Sequence, residues 1–148
     1  MIARIAAAAL LLSSPSLALG ETAGPAGQAL APLPTDQPVQ KGMLAIRDLV
    51  RINHSLITHR RMPPDHAARF VRQVKVEADT ILATSKIAGD GRDKLRAVLD
   101  DIVAGIAAVA GRDKAVSPLD GLVRADEALA RYARECDHPG WAPLQSLD

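Results

Sequence analysis

The chain of 148 residues is poor in the residue types on which redox chemistry, catalysis and nucleic-acid binding usually depend. Its single cysteine, Cys136, excludes an intramolecular disulfide and a Cys-x-x-Cys-His haem attachment. Its three aromatic residues are too few to form a set of stacking platforms for single-stranded nucleic acid. No Gly-rich phosphate loop and no recognisable nucleophile motif occur. We therefore expect a protein that is not an enzyme and does not bind nucleic acid.

Long apolar runs are also missing, since no stretch reaches the roughly 20 residues that a membrane-spanning helix needs. The apolar run at residues 5–12 follows one cation, Arg4, and precedes a Ser-rich stretch with small residues at 16–20. This order is typical of a secretory signal peptide over residues 1–20, with cleavage after Ala18 or Gly20. The mature protein is then expected to be periplasmic or secreted, with no integral membrane anchor.

The remaining sequence divides into a Pro-rich segment and a helical region. Residues 21–38 contain four prolines and two glycines, which predicts a flexible tether. Residues 39–148 are expected to form the bundle, with helical apolar spacing and, at its end, a Pro-rich tail in which Trp141 packs back on the fold. Each amphipathic segment has one apolar stripe and the connections are short, so we expect an all-α, up-down-up-down four-helix bundle. The segments lie at about 39–61, 64–87, 92–110 and 117–136.

One end of such a bundle collects Met43, Cys136 and His138, whose thioether, thiol and imidazole suit a soft metal such as a cuprous ion. A Met early in the first helix and a His late in the fourth resemble the ligands of bacterial periplasmic four-helix-bundle cytochromes. The resemblance implies haem b held by Met43 and His138 in an electron carrier. The alternative is that Met43 and Cys136 fill the core while His138 is a solvated group at a helix end.

The other end of the predicted bundle collects His54, His59, Met62 and His66. A spacing of five puts His54 and His59 roughly 140 degrees apart on a helix, so one ion could not readily bind both. His59 and His66 could meet across the turn as a two-ligand metal site, but solvated histidines at a bundle end are the favoured interpretation, because imidazole needs a fixed tautomer and further ligands to hold a metal ion.

A di-iron site is excluded by count. Glu135 and His138 match one Glu-x-x-His motif, but the carboxylate di-iron bundles need two, and no second motif exists here.

Charge is distributed unevenly along the chain. Residues 41–75 hold eight basic and two acidic residues, whereas residues 76–148 hold nine basic and thirteen acidic ones. The basic segment could dock an acidic protein partner or an anionic ligand, or it could attract the acidic half within the bundle. The sequence thus predicts an exported binding or accessory module, with a haem-b electron carrier and a soft-metal protein as alternatives. The candidate partner-binding residues are Arg47, Arg51, Arg60, Arg61, Arg69 and Arg72.

Overall fold

A computed structural model describes residues 31–144. This part of the chain contains four α-helices and one pair of very short strands, which confirms the predicted all-α four-helix bundle. The predicted signal peptide and residues 21–30 of the predicted tether lie outside the described residues. In chain order the elements are β1 (Leu33–Pro34), α1 (Gln37–Thr58), α2 (Pro64–Thr84), α3 (Gly89–Val109), α4 (Pro118–Glu135) and β2 (Cys136–Asp137).

The helices enclose one apolar core. Each helix contacts the next one along the chain, and α1 also contacts α4, which closes the ring of four. The buried side chains are mostly aliphatic, with one central member from each helix in Ile46, Val74, Ile102 and Leu122. Between residues 31 and 144, no helix has both the length and the apolar character needed to cross a bilayer.

The end of the predicted tether belongs to the folded unit. Leu33–Pro34 pairs in parallel with Cys136–Asp137, and the Leu33 side chain packs against the core. Helix α1 begins at Gln37, two residues before the predicted start, with Pro38 in its first turn. Proline is acceptable there because the first N–H groups of a helix have no intrahelical partner. The prolines that suggest flexibility therefore accompany a short strand and a helix start.

Asp36 ties this segment to the loop between α2 and α3. Its Oδ1 accepts a hydrogen bond from the N–H of Val39 at 3.2 Å and so caps α1. Its Oδ2 accepts from the Ser85 hydroxyl at 3.0 Å and from the Lys86 N–H at 2.6 Å. The loop is thereby fixed at residues 85–88, and α3 already begins at Gly89, inside the stretch 89–91 where the sequence predicted a break.

Helices α3 and α4 approach each other closely through small residues. A Cβ atom added to Gly105 would lie 2.5 Å from the carbonyl oxygen of Gly121, so only glycine fits there. The buried face of α4 consequently includes Gly121, Ala125 and Ala128, whereas two residues of its predicted apolar stripe, Leu119 and Val123, are 47% and 48% exposed. Ser117, at the predicted start of the fourth segment, caps α4, and its hydroxyl accepts a hydrogen bond from the Asp120 N–H at 3.1 Å.

Candidate functional site

The end of α4 places the predicted cofactor ligands in the core. Met43 on α1 is 0% exposed, and Cys136 and His138 are each 8% exposed. The imidazole of His138 is therefore buried, which corrects the alternative of a solvated helix cap. Its Nδ1 lies 2.7 Å from the buried hydroxyl of Tyr132, so the ring is held by a hydrogen bond. A haem between Met43 and His138 would require Met43 to leave the core, and the haem alternative stays a prediction.

An aromatic cluster covers His138. The Trp141 ring lies 4.9 Å from that of Tyr132 and 5.1 Å from that of His138, so the tail packs back on the core as predicted. Arg47 crosses from α1, lies 5.4 Å from the Trp141 ring centre and donates to the Ala142 carbonyl at 3.0 Å. Burial and then the Arg47 charge lower the pKa of His138, so the imidazole is held neutral.

Cys136 is a poor metal ligand in this setting. Burial, followed by the charge of Glu135, raises the pKa of the Cys136 thiol to about 11. The thiolate is the form that binds metal ions, and at neutral pH it would be scarce here. The soft-metal alternative therefore depends on a metal ion that can displace the thiol proton in a buried site.

The histidines at the other end are held by separate partners. His59 Nδ1 lies 2.8 Å from the Ser55 carbonyl oxygen, while His66 Nε2 lies 2.6 Å from Asn53 Oδ1. No group of three or more His, Cys, Asp or Glu side chains within residues 31–144 is arranged to hold a metal ion. The predicted pair of His59 and His66 stays a prediction for a two-ligand site.

A cavity of about 300 Å³ is lined by residues of α1, of α4 and of the tail. His54 and Asp126 line it, with 3.8 Å between His54 Nε2 and Asp126 Oδ2, and burial raises the pKa of Asp126 against the opposing effect of His54. Trp141 lines it as well. Its Nε1 and the Asp126 Oδ1 are buried without a hydrogen-bond partner in the described part of the chain.

The arginines of the first helical hairpin differ in their surroundings. Arg47 is turned inward on Trp141, with a side chain only 18% exposed, and is not free to meet a partner. Arg51 is 60% exposed and lies 3.6 Å from Asp48 of its own helix. Within residues 31–144, none of the six arginines forms an ion pair with the acidic second hairpin. The remaining exposed members of the set are Arg60, Arg61, Arg69 and Arg72.

An open groove of about 600 Å³ runs between α1 and α2, here called the α1–α2 groove. Its walls carry Ile52 and Val76, which are 68% and 61% exposed. Arg72 lines the groove, and Arg69 stands with Arg72 and Val76 at spacings that share one helix face. Asp48 and Glu77 line the groove as well, so its exposed aliphatic side chains lie beside one cation and two carboxylates, within a hairpin that is basic as a whole.

A further cavity, of about 400 Å³, lies where the C-terminal end of α1 meets the start of α4, and we call it the Arg60 cavity. Leu56, Met62, Val109 and Leu119 form its apolar walls, and Arg60 stands beside them.

Sequence reasoning found the basic hairpin but missed the aliphatic residues beside it. Ile52 is off the apolar stripe of α1, and Val76 is off that of α2. Each is a large aliphatic residue on a face that should be polar, and that mismatch is the signal which could have identified them.

Known proteins offer no analogy for these surfaces. Comparison with protein-family models, with curated proteins and with solved structures finds no match to this chain. Any function must therefore be argued from the chain's own residues.

Proposed function

We propose that this protein is an exported, non-enzymatic binding module whose α1–α2 groove docks an acidic amphipathic helix of another protein. Export is supported by the signal-peptide pattern of residues 1–20. A periplasmic compartment is favoured by the Ala- and Arg-rich, Lys-poor composition, which is typical of bacteria with GC-rich genomes.

The observation that carries the docking proposal is a pair of exposed aliphatic residues in a groove on the basic hairpin, where Arg72 has no ion-pair partner within residues 31–144. Ile52 and Val76 face one groove at 68% and 61% exposure, and large aliphatic side chains so placed are typical of a binding surface. The surrounding hairpin has six more basic than acidic residues between positions 41 and 75.

An amphipathic helix with acidic residues beside an apolar stripe matches both features. Its stripe would cover Ile52 and Val76, and its carboxylates would lie against Arg51 and Arg72. Asp48 and Glu77 also line the groove, but the basic excess of the surrounding hairpin favours an acidic helix over a basic or purely apolar one. The groove is open and extended rather than deep, which suits a helix better than a compact small molecule.

A designed peptide tests this proposal directly. An 18-residue amphipathic helix with leucines on one face and glutamates beside them should shift the methyl NMR signals of Ile52 and Val76. The double variant Arg51→Glu/Arg72→Glu should weaken binding at least tenfold, because reversed charges repel the peptide. Rising salt should also weaken binding, since exposed charges are screened over about 10 Å at 0.1 M. The same peptide with lysines in place of glutamates should not bind.

Matched controls separate docking from folding. Arg96→Glu/Arg112→Glu makes the same charge change at exposed positions of the second half and should leave peptide binding unchanged. The Arg51→Glu/Arg72→Glu variant should keep its melting temperature, because exposed ion pairs contribute only about 0–1 kcal/mol. A peptide that shifts neither methyl signal, or a charge reversal that lowers stability without affecting binding, would overturn the proposal.

A further inference from the structure

We infer that the Arg60 cavity is a binding site for a medium-chain aliphatic carboxylate, which the apolar walls of the cavity and Arg60 would hold. This site is separate from the α1–α2 groove and does not depend on the proposed docking function. The cavity measures about 400 Å³, within the range of small-molecule sites in proteins.

The walls are apolar beyond what the fold needs. Leu119 in the first turn of α4 is 47% exposed, and Leu56 and Met62 are half-buried. The floor is made by Ile57 and Val109, which belong to the core. An aliphatic chain lying against these residues would remove Leu119 from water and extend the core outward, and burial of apolar surface is the main driving force for such binding.

The charge at the cavity is positive. Arg60 is the charged residue among those that line it, is exposed, and has no ion-pair partner within residues 31–144. Arg61 follows it and is exposed as well. A guanidinium matches a carboxylate in charge and in hydrogen-bond geometry. An aliphatic ammonium would be repelled by the like charge of Arg60, and a neutral aliphatic would leave Arg60 without a partner.

Arg60 lies in an unusual backbone conformation at the end of α1. Arg60 has a φ of 53°, and the Arg61 N–H donates to the Leu56 carbonyl at 2.8 Å, which closes the end of α1. Non-glycine residues seldom adopt this left-handed conformation. Glycine would be the ordinary residue at this position of a helix end, so the arginine here is a feature that folding alone does not require.

Octanoate is the probe, and the methionines are the reporters. The chain has three methionines, and Met62 lines the cavity while Met43 is fully buried elsewhere in the core. Octanoate should shift the Met62 methyl signal and leave that of Met43 in place. Along the series butanoate, hexanoate and octanoate, affinity should rise about fourfold for each added methylene. Octylammonium should bind more weakly than octanoate.

Variants assign the two halves of the ligand. Arg60→Gln keeps a non-glycine residue at this φ and should weaken octanoate binding about threefold to fivefold, while binding of 1-octanol stays unchanged. Arg69→Gln removes one exposed arginine of α2 outside the cavity and should have no effect. Leu119→Ser should reduce the affinity gained per methylene.

Several results would overturn the inference. One is a Met62 signal that octanoate leaves unmoved, and another is an Arg60→Gln variant that binds octanol and octanoate equally weakly. A Met62 shift that depends on protein concentration without any ligand would mean that a second copy covers the cavity. Binding to anionic phosphatidylglycerol vesicles without binding of monomeric octanoate would show that Arg60 and Arg61 contact a lipid surface rather than a carboxylate in the cavity.

Discussion

Tyr132 and His138 form a buried hydrogen bond that decides how the chain lies after α4. Tyr132 is 0% exposed, so its hydroxyl has no access to water and depends on His138 Nδ1 at 2.7 Å. Burial raises the pKa of Tyr132, which keeps the phenol protonated and able to donate. The neutral imidazole accepts this proton through Nδ1. Each group is therefore held in the protonation state that the other needs.

Removing the Tyr132 hydroxyl should show how much this hydrogen bond contributes to stability. We expect Tyr132→Phe to lower the free energy of unfolding by about 1–3 kcal/mol, because it leaves His138 Nδ1 buried without a partner. The stability of the wild-type protein should also fall with acid. The pKa of His138 is lowered in the fold, so the unfolded chain takes up the proton first, and stability is full above about pH 6.5 and declines below it.

His138→Asn is the matched variant for the pH effect. Asparagine keeps a short polar group near the position of Nδ1 but does not titrate, so its melting temperature should change less between pH 7 and pH 5 than that of wild type. Asp126 affects stability with the opposite sign, because its pKa is raised in the folded protein. Its contribution is full below the unfolded pKa of about 3.8 and is lost as the pH rises through the pKa of the folded state. Equal acid sensitivity of both proteins would show that other groups set the pH dependence.

Close packing of α3 on α4 is the element-scale feature that the apolar pattern hides. Glycine inside a helix costs about 1 kcal/mol relative to alanine, so the sequence alone indicates that Gly105 destabilises α3. In the fold it is the point at which the α4 backbone comes within contact distance. The weak helix former is retained because a side chain would push the two helices apart.

We expect Gly105→Ala to lower the free energy of unfolding by about 1–3 kcal/mol despite its better helix propensity, since the new Cβ would meet backbone atoms of α4. Gly91→Ala is the control in the same helix. There the nearest atom is Cδ1 of Leu33, the flexible end of a side chain that can move aside. Urea denaturation of both variants would measure the difference, and equal losses would contradict the role of backbone contact at Gly105.

How far sequence determines these elements depends on whether the signal is local. The helix number, the start of α2 at Pro64 and the Ser117 cap were predictable because spacing, proline and capping act within a few residues. The strand pair was not, since Leu33 and Cys136 are far apart in sequence and Leu33 lies in a Pro-rich stretch. At the candidate site, the sequence grouped six arginines as candidate partner-binding residues, and that grouping stays a prediction. The sequence could not show that Arg47 turns inward, because that depends on where Trp141 packs.

At the scale of the whole molecule, the two halves of the bundle differ in charge yet are joined mainly through apolar contacts. The ion pairs of Asp101 with Arg124 and Arg131, both at 2.7 Å, link α3 to α4 within the acidic half. These bonds lower the pKa of Asp101. In the described chain, His54 and Asp126 are the one pair of ionisable groups within 4.0 Å that links α1 or α2 to α3 or α4, with 3.8 Å between His54 Nε2 and Asp126 Oδ2. The basic surface therefore remains available to ligands and partners.

Export of the molecule is predicted from residues 1–20, and one substitution tests that prediction. Cleavage after Ala18 would use Ser16 and Ala18 as the small residues, and cleavage after Gly20 would use Ala18 and Gly20. Ala18 is shared by both sites, so Ala18→Phe should block processing at either. We expect the mass of the exported wild-type protein to match a chain that begins at residue 19 or 21. The mass of Ala18→Phe should match a chain that still includes Met1.

Leu19→Phe is the matched control for this experiment. Position 19 lies outside the small-residue requirement of both sites, since it follows the first bond and stands between the two small residues of the second. Leu19→Phe should therefore be processed like wild type, although it carries the same bulky ring one residue away. A wild-type protein that retains Met1 would show that residues 1–20 are not a cleaved signal peptide, and the docking surface and the carboxylate cavity would then have to meet their ligands in another compartment.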